Sequence, residues 1–402
     1  MSPSRPSLIA SLRSLPRAAW VLFFGTFVNK VGTFVIPFLT LYLTSRGYSP
    51  AAAGFALGAY GAGNLVAGVI GGHLADRLGR RGTIALSMFS GAAAMLLLSQ
   101  ARAYPLIVAL AALTGLTGEM YRPASSALLA DLVPAGQRVT AYSALRASFN
   151  AGWAFGPALA GLIAAHGWFW LFAGDAFTSA LYGLVALLAL PAGVGVMVGR
   201  GGWGEVIQLM RNDGRLLRML AAVFAVSLIF MQQSSTFGLH VVQLGFPAAT
   251  YGLILSLNGA IVVCCELPLT TVTRRFRARP VIALGYCLAG LGFALNGLAR
   301  TVPELVVCMV VFTLGEMLAM PMASAYVADL APATMRGRSM GIYGMTWTLA
   351  LILGPAAGMT LMNAAPAAFW LCSAGLGAFA ALLILNPGRR ICAGETAVQS
   401  GS

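Results

Sequence analysis

Apolar residues fall along this chain in twelve blocks, each about 20 positions or longer, with short polar breaks between them. The blocks cover roughly 18–44, 50–74, 83–101, 105–131, 139–165, 167–190, 216–242, 248–272, 280–299, 303–329, 338–363 and 366–386. A helix that crosses a bilayer needs about 20 mostly apolar residues, so each block predicts one such helix. The two-residue alternation of a membrane barrel is absent. Block one is too long for a cleavable signal peptide and is broken by Asn29 and Lys30. The pattern predicts an all-α membrane protein with twelve spans.

Composition agrees. Of 402 residues, 59% are hydrophobic and 9% charged, and the mean hydropathy is +0.83. A soluble domain has about 45–50% apolar and about 25% charged residues. The formal charge of +14 would suit a nucleic-acid binder. The arginines argue otherwise, because they are spread over many short loops rather than gathered in one patch. They label topology instead. Nineteen of the 25 Lys and Arg residues fall on the side of the N-terminus, and only Arg46, Arg102 and Arg300 on the other. Basic loops stay in the cytoplasm, so both termini are expected there. Compact loops and the lack of a targeting segment point to a bacterial inner membrane.

The chain also repeats itself. A shift of 198 residues places Gly54 on Gly252, Gly61 on Gly259, Arg77 on Arg275, Pro123 on Pro321 and Gly156-Pro157 on Gly354-Pro355. Each half then holds six spans, an even number, so the halves share one orientation. Parallel halves of this kind suit transporters whose bundles rock about a site between them. The expected division is a six-helix bundle over 1–190, a linker over 191–215 and a second bundle over 216–402.

Between spans two and three lies "GHLADRLGRR", residues 72–81. Asp76, Arg77, Arg80 and Arg81 crowd together in a chain otherwise poor in charge. Glycines let such a loop turn tightly and approach a neighbour. An aspartate can accept hydrogen bonds at a helix N-terminus. The loop resembles the signature G-x-L-A-D-R-x-G-R-R of the major facilitator superfamily, and the twelve blocks and parallel halves agree with it. The resemblance covers nearly the whole chain. It implies that Gly72, Asp76, Arg77, Gly79, Arg80 and Arg81 latch the halves in the outward-open state, with Asp76 at a helix end of the other half. The echo at 274–279, "RRFRAR", has Arg274 where Asp76 falls, so the latch is expected on one side only. A loop that merely fixes topology is the alternative.

Span five carries "GWAFGPALAG", 152–161. It resembles the G-x-x-x-G-P-x-x-G-G element of antiporters in this superfamily, with Ala160 at the first of the paired glycines. Small residues allow close helix packing, and proline removes a backbone hydrogen bond. The resemblance makes Gly152, Gly156, Pro157 and Gly161 an interface element that resists leakage. Ordinary helix packing competes with that role, and "GPAAG" at 354–358 repeats the element in the second half. One departure stands out. Proton-linked drug exporters of the superfamily often carry an arginine, then Gln-Gly, early in span four, where this chain has Ala111 and Thr114.

Ionisable groups inside a membrane are costly and mark function. Glu119 and Glu316 lie near the middle of spans four and ten, Asp175 nearer the outer end of span six, and Glu266 nearer the inner end of span eight. The resemblance implies that spans one, four, seven and ten line a central cavity. The candidate cavity and substrate residues are Asn29, Lys30, Phe34, Arg122, Gln232, Gln233, His240 and Met320. Glu119 and Arg122 share a helix face, being three apart. Arg122, together with Lys30 across the cavity, would keep Glu119 ionised. Glu316 has no base within two turns on its own helix and is expected to take a proton more readily. The two are the candidate proton-coupling acids, although a structural ion pair with Arg122 or Lys30 would also explain Glu119. Asp175 and Glu266 are expected to be structural or gating, and Arg146 to snorkel to the membrane surface.

Little else suggests chemistry. The three histidines and six cysteines form no metal or disulfide pattern, and no Walker-type phosphate loop occurs. No nucleophile–base constellation supports an enzyme. No cofactor is expected, which leaves an ion gradient as the energy source. The resemblance then implies a secondary transporter that exchanges protons for amphipathic small molecules or drugs by alternating access. Export of one metabolite, such as a siderophore or peptide, and proton-coupled nutrient uptake stay open. The expected partners are a small-molecule substrate, protons and lipid, with a monomeric chain and no nucleic acid.

Overall fold

The computed structural model describes residues 12–134, 137–192, 214–273, 275–330 and 336–386. Arg274, most of the expected linker and the C-terminal tail lie outside the described residues. All twelve apolar blocks are helical, and no strand occurs among the described residues. Span one comprises Arg17–Val31 and Val35–Ser45, span two Pro50–Arg77 and span three Arg80–Gln100. Span four comprises Tyr104–Glu119 and Tyr121–Leu132, span five Arg138–Ala164 and span six Trp168–Ala189. In the second half, span seven comprises Gly214–Met231 and Thr236–Gln243, span eight Ala248–Thr273 and span nine Ala278–Ala294. Spans ten to twelve are Val302–Leu330, Arg336–Ala364 and Pro366–Leu385. Among the described residues ten segments are long and apolar enough to cross a membrane, all but spans four and five. Large apolar side chains such as Val69, Phe177, Leu188 and Leu371 stay exposed, as contact with lipid requires.

Three spans are broken. In span one the second helix starts at Val35, so Pro37 falls in its first turn, where a missing N–H costs nothing. Asp175 of span six caps that helix, its carboxylate accepting the Val35 amide at 3.3 Å. In span four Pro123 cannot donate to the Glu119 carbonyl, and the helix stops at Glu119. Ser87 of span three repairs the gap. Its hydroxyl donates to the Thr117 carbonyl at 2.5 Å and accepts from the Tyr121 amide at 3.0 Å. Span seven breaks with no proline, and there the Gln232 side chain makes the repair. Its amide nitrogen donates to the Leu228 and Gly354 carbonyls, and its oxygen accepts from the Ser235 and Thr236 hydroxyls.

Two seams join the halves, span two against span eleven and span five against span eight. We call the face with the turns at Gly47, Gly167 and Gly245 the far face, and the face with Gly79 the near face. At the far face both seams are tight. A Cβ on Gly54 would meet the Pro355 carbonyl, and one on Gly252 the Pro157 carbonyl. The Tyr251 hydroxyl reaches the carbonyls of Pro37 and Gln233, 2.9 Å each. Toward the near face the seam opens. Gly68 and Gly72 on span two, and Gly341 and Gly344 on span eleven, have nothing within 4 Å of the space a Cβ would fill. The molecule is closed at its far face and open at its near face.

Among the described residues the loop 72–81 makes no hydrogen bond or ion pair with the other half. Asp76 and Arg77 are exposed, and Asp76 makes no ion pair or hydrogen bond among the described residues. Among the described residues Asp76 meets no helix end of the other half, and residues 331–335, just before span eleven, lie outside them. Arg80 is not a loop charge at all. It is buried, and its Nε pairs with Asp131 of span four at 2.5 Å. Arg81 donates to the Leu190 carbonyl at the end of span six, 3.4 Å away. Its repeat mate Arg279 does the same for Ile384 and Leu385 at the end of span twelve. Both put positive charge where helix carbonyls end. Gly79 turns the loop with φ of +77°.

Candidate functional site

Glu119 is the last residue before the break in span four, and it gathers an ionic cluster. Lys30 Nζ lies 3.1 Å from Oε1, and Arg122 Nε lies 2.6 Å from Oε2. The Arg122 contact is an ion pair off the hydrogen-bond axis, since Oε2 has no aligned donor. Tyr60 of span two donates to Oε1 at 3.3 Å. The Lys30 and Glu119 side chains are 4% and 8% exposed, whereas Arg122 is 47% exposed. Both cations lie over the Phe149 ring of span five, at 5.1 and 5.0 Å from its centroid. Gly152 and Gly156 make room for this, since a Cβ on either would strike span one at Lys30 and Val31.

Glu316 sits in a different setting. Its Oε2 accepts from the Asn258 side chain of span eight at 2.8 Å, and the same amide nitrogen donates to Thr313 at 2.9 Å. Glu316 has no ion pair among the described residues. Arg146, expected to snorkel, instead pairs across the halves with Glu266 at 3.6 Å.

Two cavities adjoin the Glu119 cluster. A small one of about 30 Å3 is lined by Asn29, Lys30, Tyr60, Glu119, Asp175 and Ser179 among others. It has room for about one or two waters. A larger one of about 300 Å3 is bounded by Thr26, Tyr121, Arg122, Ser125, Tyr142, Arg146 and Phe149 among others.

The remaining expected residues divide. Asn29 donates to Ser179 at 3.2 Å and borders the small cavity. Met320 is half-buried on span ten. Phe34 is buried at the break of span one. Gln233 is buried at the break of span seven, and its Nε2 has no partner. Two expected cavity residues are engaged elsewhere. His240 meets the Asn296 carbonyl at 2.9 Å and packs edge-to-face on Trp370, and Gln232 is spent on the helix break. Both satisfy backbone carbonyls, a need invisible in a one-dimensional polar stripe. Pro157 and Gly161 press on span eight at Gly252 and Ala249.

Tyr60 and Asn258 escaped the sequence reading. A usable signal existed, because they are repeat mates, 198 apart, and each donates to the acid on the next-but-one span. Ser87 and Phe149 offer no such signal, since one serine or phenylalanine in an apolar block looks like packing.

The profile of the Major Facilitator Superfamily matches residues 22–267 and 234–391. The chain belongs to this superfamily. It is similar to the uncharacterized MFS-type transporter YqjV of Bacillus subtilis (strain 168), 28% identical over 84% of each chain. It is also similar to the multidrug resistance protein MdtH of Aeromonas hydrophila, 26% identical over 91% of this chain and 94% of that one. A solved POT family transporter in complex with 5-aminolevulinic acid shares the fold, with a TM-score of 0.74 at 17% identity over 92% of this chain and 95% of that one.

Proposed function

We propose that this transporter exports amphipathic small molecules from the cytoplasm in exchange for protons. In this reading the near face is cytoplasmic, and the membrane is the bacterial inner membrane. The observation that carries it is the unequal setting of the two acids. Protonating Glu119 would strand the buried Lys30 without its partner and take the charge partner from the half-exposed Arg122. Protonating Glu316 strands none, and the Asn258 amide can still hold the neutral acid. Glu316 is then the coupling acid and Glu119 the anchor of the first-half wall. A latch released while the near face is open agrees with a contact kept for the opposite state. The resistance named for MdtH supports drug-like cargo moving outward.

Proteoliposomes holding a pH-sensitive dye test the reading, with a panel of cationic, neutral and anionic amphipaths. The unaltered chain is expected to move protons when cargo is added. Glu316→Gln is expected to abolish that movement while still binding cargo. Proton movement at unaltered rate in Glu316→Gln would remove Glu316 from the mechanism. No movement with any amphipath, in folded protein, would sink the exporter reading.

A further inference from the structure

The 300 Å3 cavity has a chemical bias that the acids do not explain. Its wall carries two guanidinium groups, Arg122 and Arg146, together with five hydroxyl-bearing side chains, and no carboxylate. Both arginines are about half exposed, at 47% and 59%. Neither is locked in a buried pair. Arg122 pairs with Glu119, which Lys30 shares, and lies over the Phe149 ring, and Arg146 stands 3.6 Å from Glu266. The buried Thr26 hydroxyl in the same wall has no hydrogen-bond partner.

The repeat sharpens the point. The second half has Met320 where the first has Arg122, Gly344 where it has Arg146, and Trp347 where it has Phe149. It has Leu228 in place of Lys30. One half thus offers cations and hydroxyls at positions where the other offers apolar surface. A lipophilic cation entering here meets like charge, whereas an anion meets forked donors suited to carboxylate.

We infer that the cargo is an amphipathic organic anion, its carboxylate held between Arg122 and Arg146 and its apolar body against the Met320 and Trp347 side. This rests on the transporter reading and names the cargo class for the same cavity.

The test uses three probes with one apolar body: naphthoate, naphthylmethanol and naphthylmethylammonium. Binding to the purified full chain is measured by calorimetry. Naphthoate is expected to bind about tenfold or more tighter than the cation, the worth of one charge-assisted hydrogen bond. Arg122→Gln and, separately, Arg146→Gln should each lower naphthoate affinity about tenfold and leave the neutral probe within about threefold. If Arg122→Gln fails to fold, Arg146→Gln and the three-probe comparison on the unaltered chain still decide. Equal or tighter binding of the cation overturns the proposal, as does binding of none of the three. Proton exchange driven by the cation alone would leave the exporter reading intact and overturn the anion site. Tight naphthoate binding without proton movement would support the anion site and remove proton-coupled export.

Discussion

Glu119 is one carboxylate shared by two cations, and the sharing makes the three residues unequal. Removing its charge leaves the buried Lys30 without a counter-charge and close to Arg122. Glu119→Gln is expected to destabilise by about 3–5 kcal/mol, the usual result of breaking a buried pair. Lys30→Met keeps the Arg122 pair and should cost much less. Adding Lys30→Met to Glu119→Gln should recover part of the loss, because it deletes an unpaired charge. Thermal unfolding of the three variants in detergent checks the order, and an additive double variant would contradict it. The spacing of Glu119 and Arg122 made this cluster legible in advance. His240 and Gln232 were not, because polarity alone does not say whether a side chain ends in a cavity or on a carbonyl that a break has freed.

At the scale of elements, the breaks position everything that matters. Span four stops at Glu119 because Pro123 leaves that carbonyl without a donor. Pro123→Ala is expected to rejoin the two helices, raise the unfolding temperature and slow proton exchange. Faster exchange would mean the break is incidental. Asp175 caps the second helix of span one. Asp175→Asn keeps an acceptor there and should retain most of the stability, whereas Asp175→Leu should lose about 1 kcal/mol. Most of the spans were plain in the sequence, because ten of the described segments are long and apolar enough on their own. The breaks were not, since Pro157, Pro268, Pro321 and Pro355 all lie inside unbroken helices. In span four a neighbour, Ser87, bonds the Thr117 carbonyl and the Tyr121 amide that the break parts, and that is a tertiary fact.

For the whole molecule, the glycines that marked the repeat lie where the two halves pack closest. Gly54 and Gly252 let the far seams close on Pro355 and Pro157. Gly252→Val should prevent that closure and favour the state open at the far face. Thr40, buried where span one donates to the Ser235 carbonyl of the other half, reports it. In a background with native cysteines replaced, Thr40→Cys should react quickly with an impermeant maleimide when Gly252→Val is present, and slowly without it. Equal rates would show that the seam tolerates the added bulk.

The open glycines at the other end carry a consequence of their own. Continuing the register of spans two and eleven down the seam brings Gly68 opposite Gly344 and Gly72 opposite Gly341. Beside Gly72 lies a groove of about 480 Å3, edged by Val69, His73, Asp76 and Pro123. A compound wedged in that groove would act as a doorstop, away from the cargo cavity. Such an inhibitor would lower the turnover number without competing for cargo, and raising the cargo concentration would not relieve it.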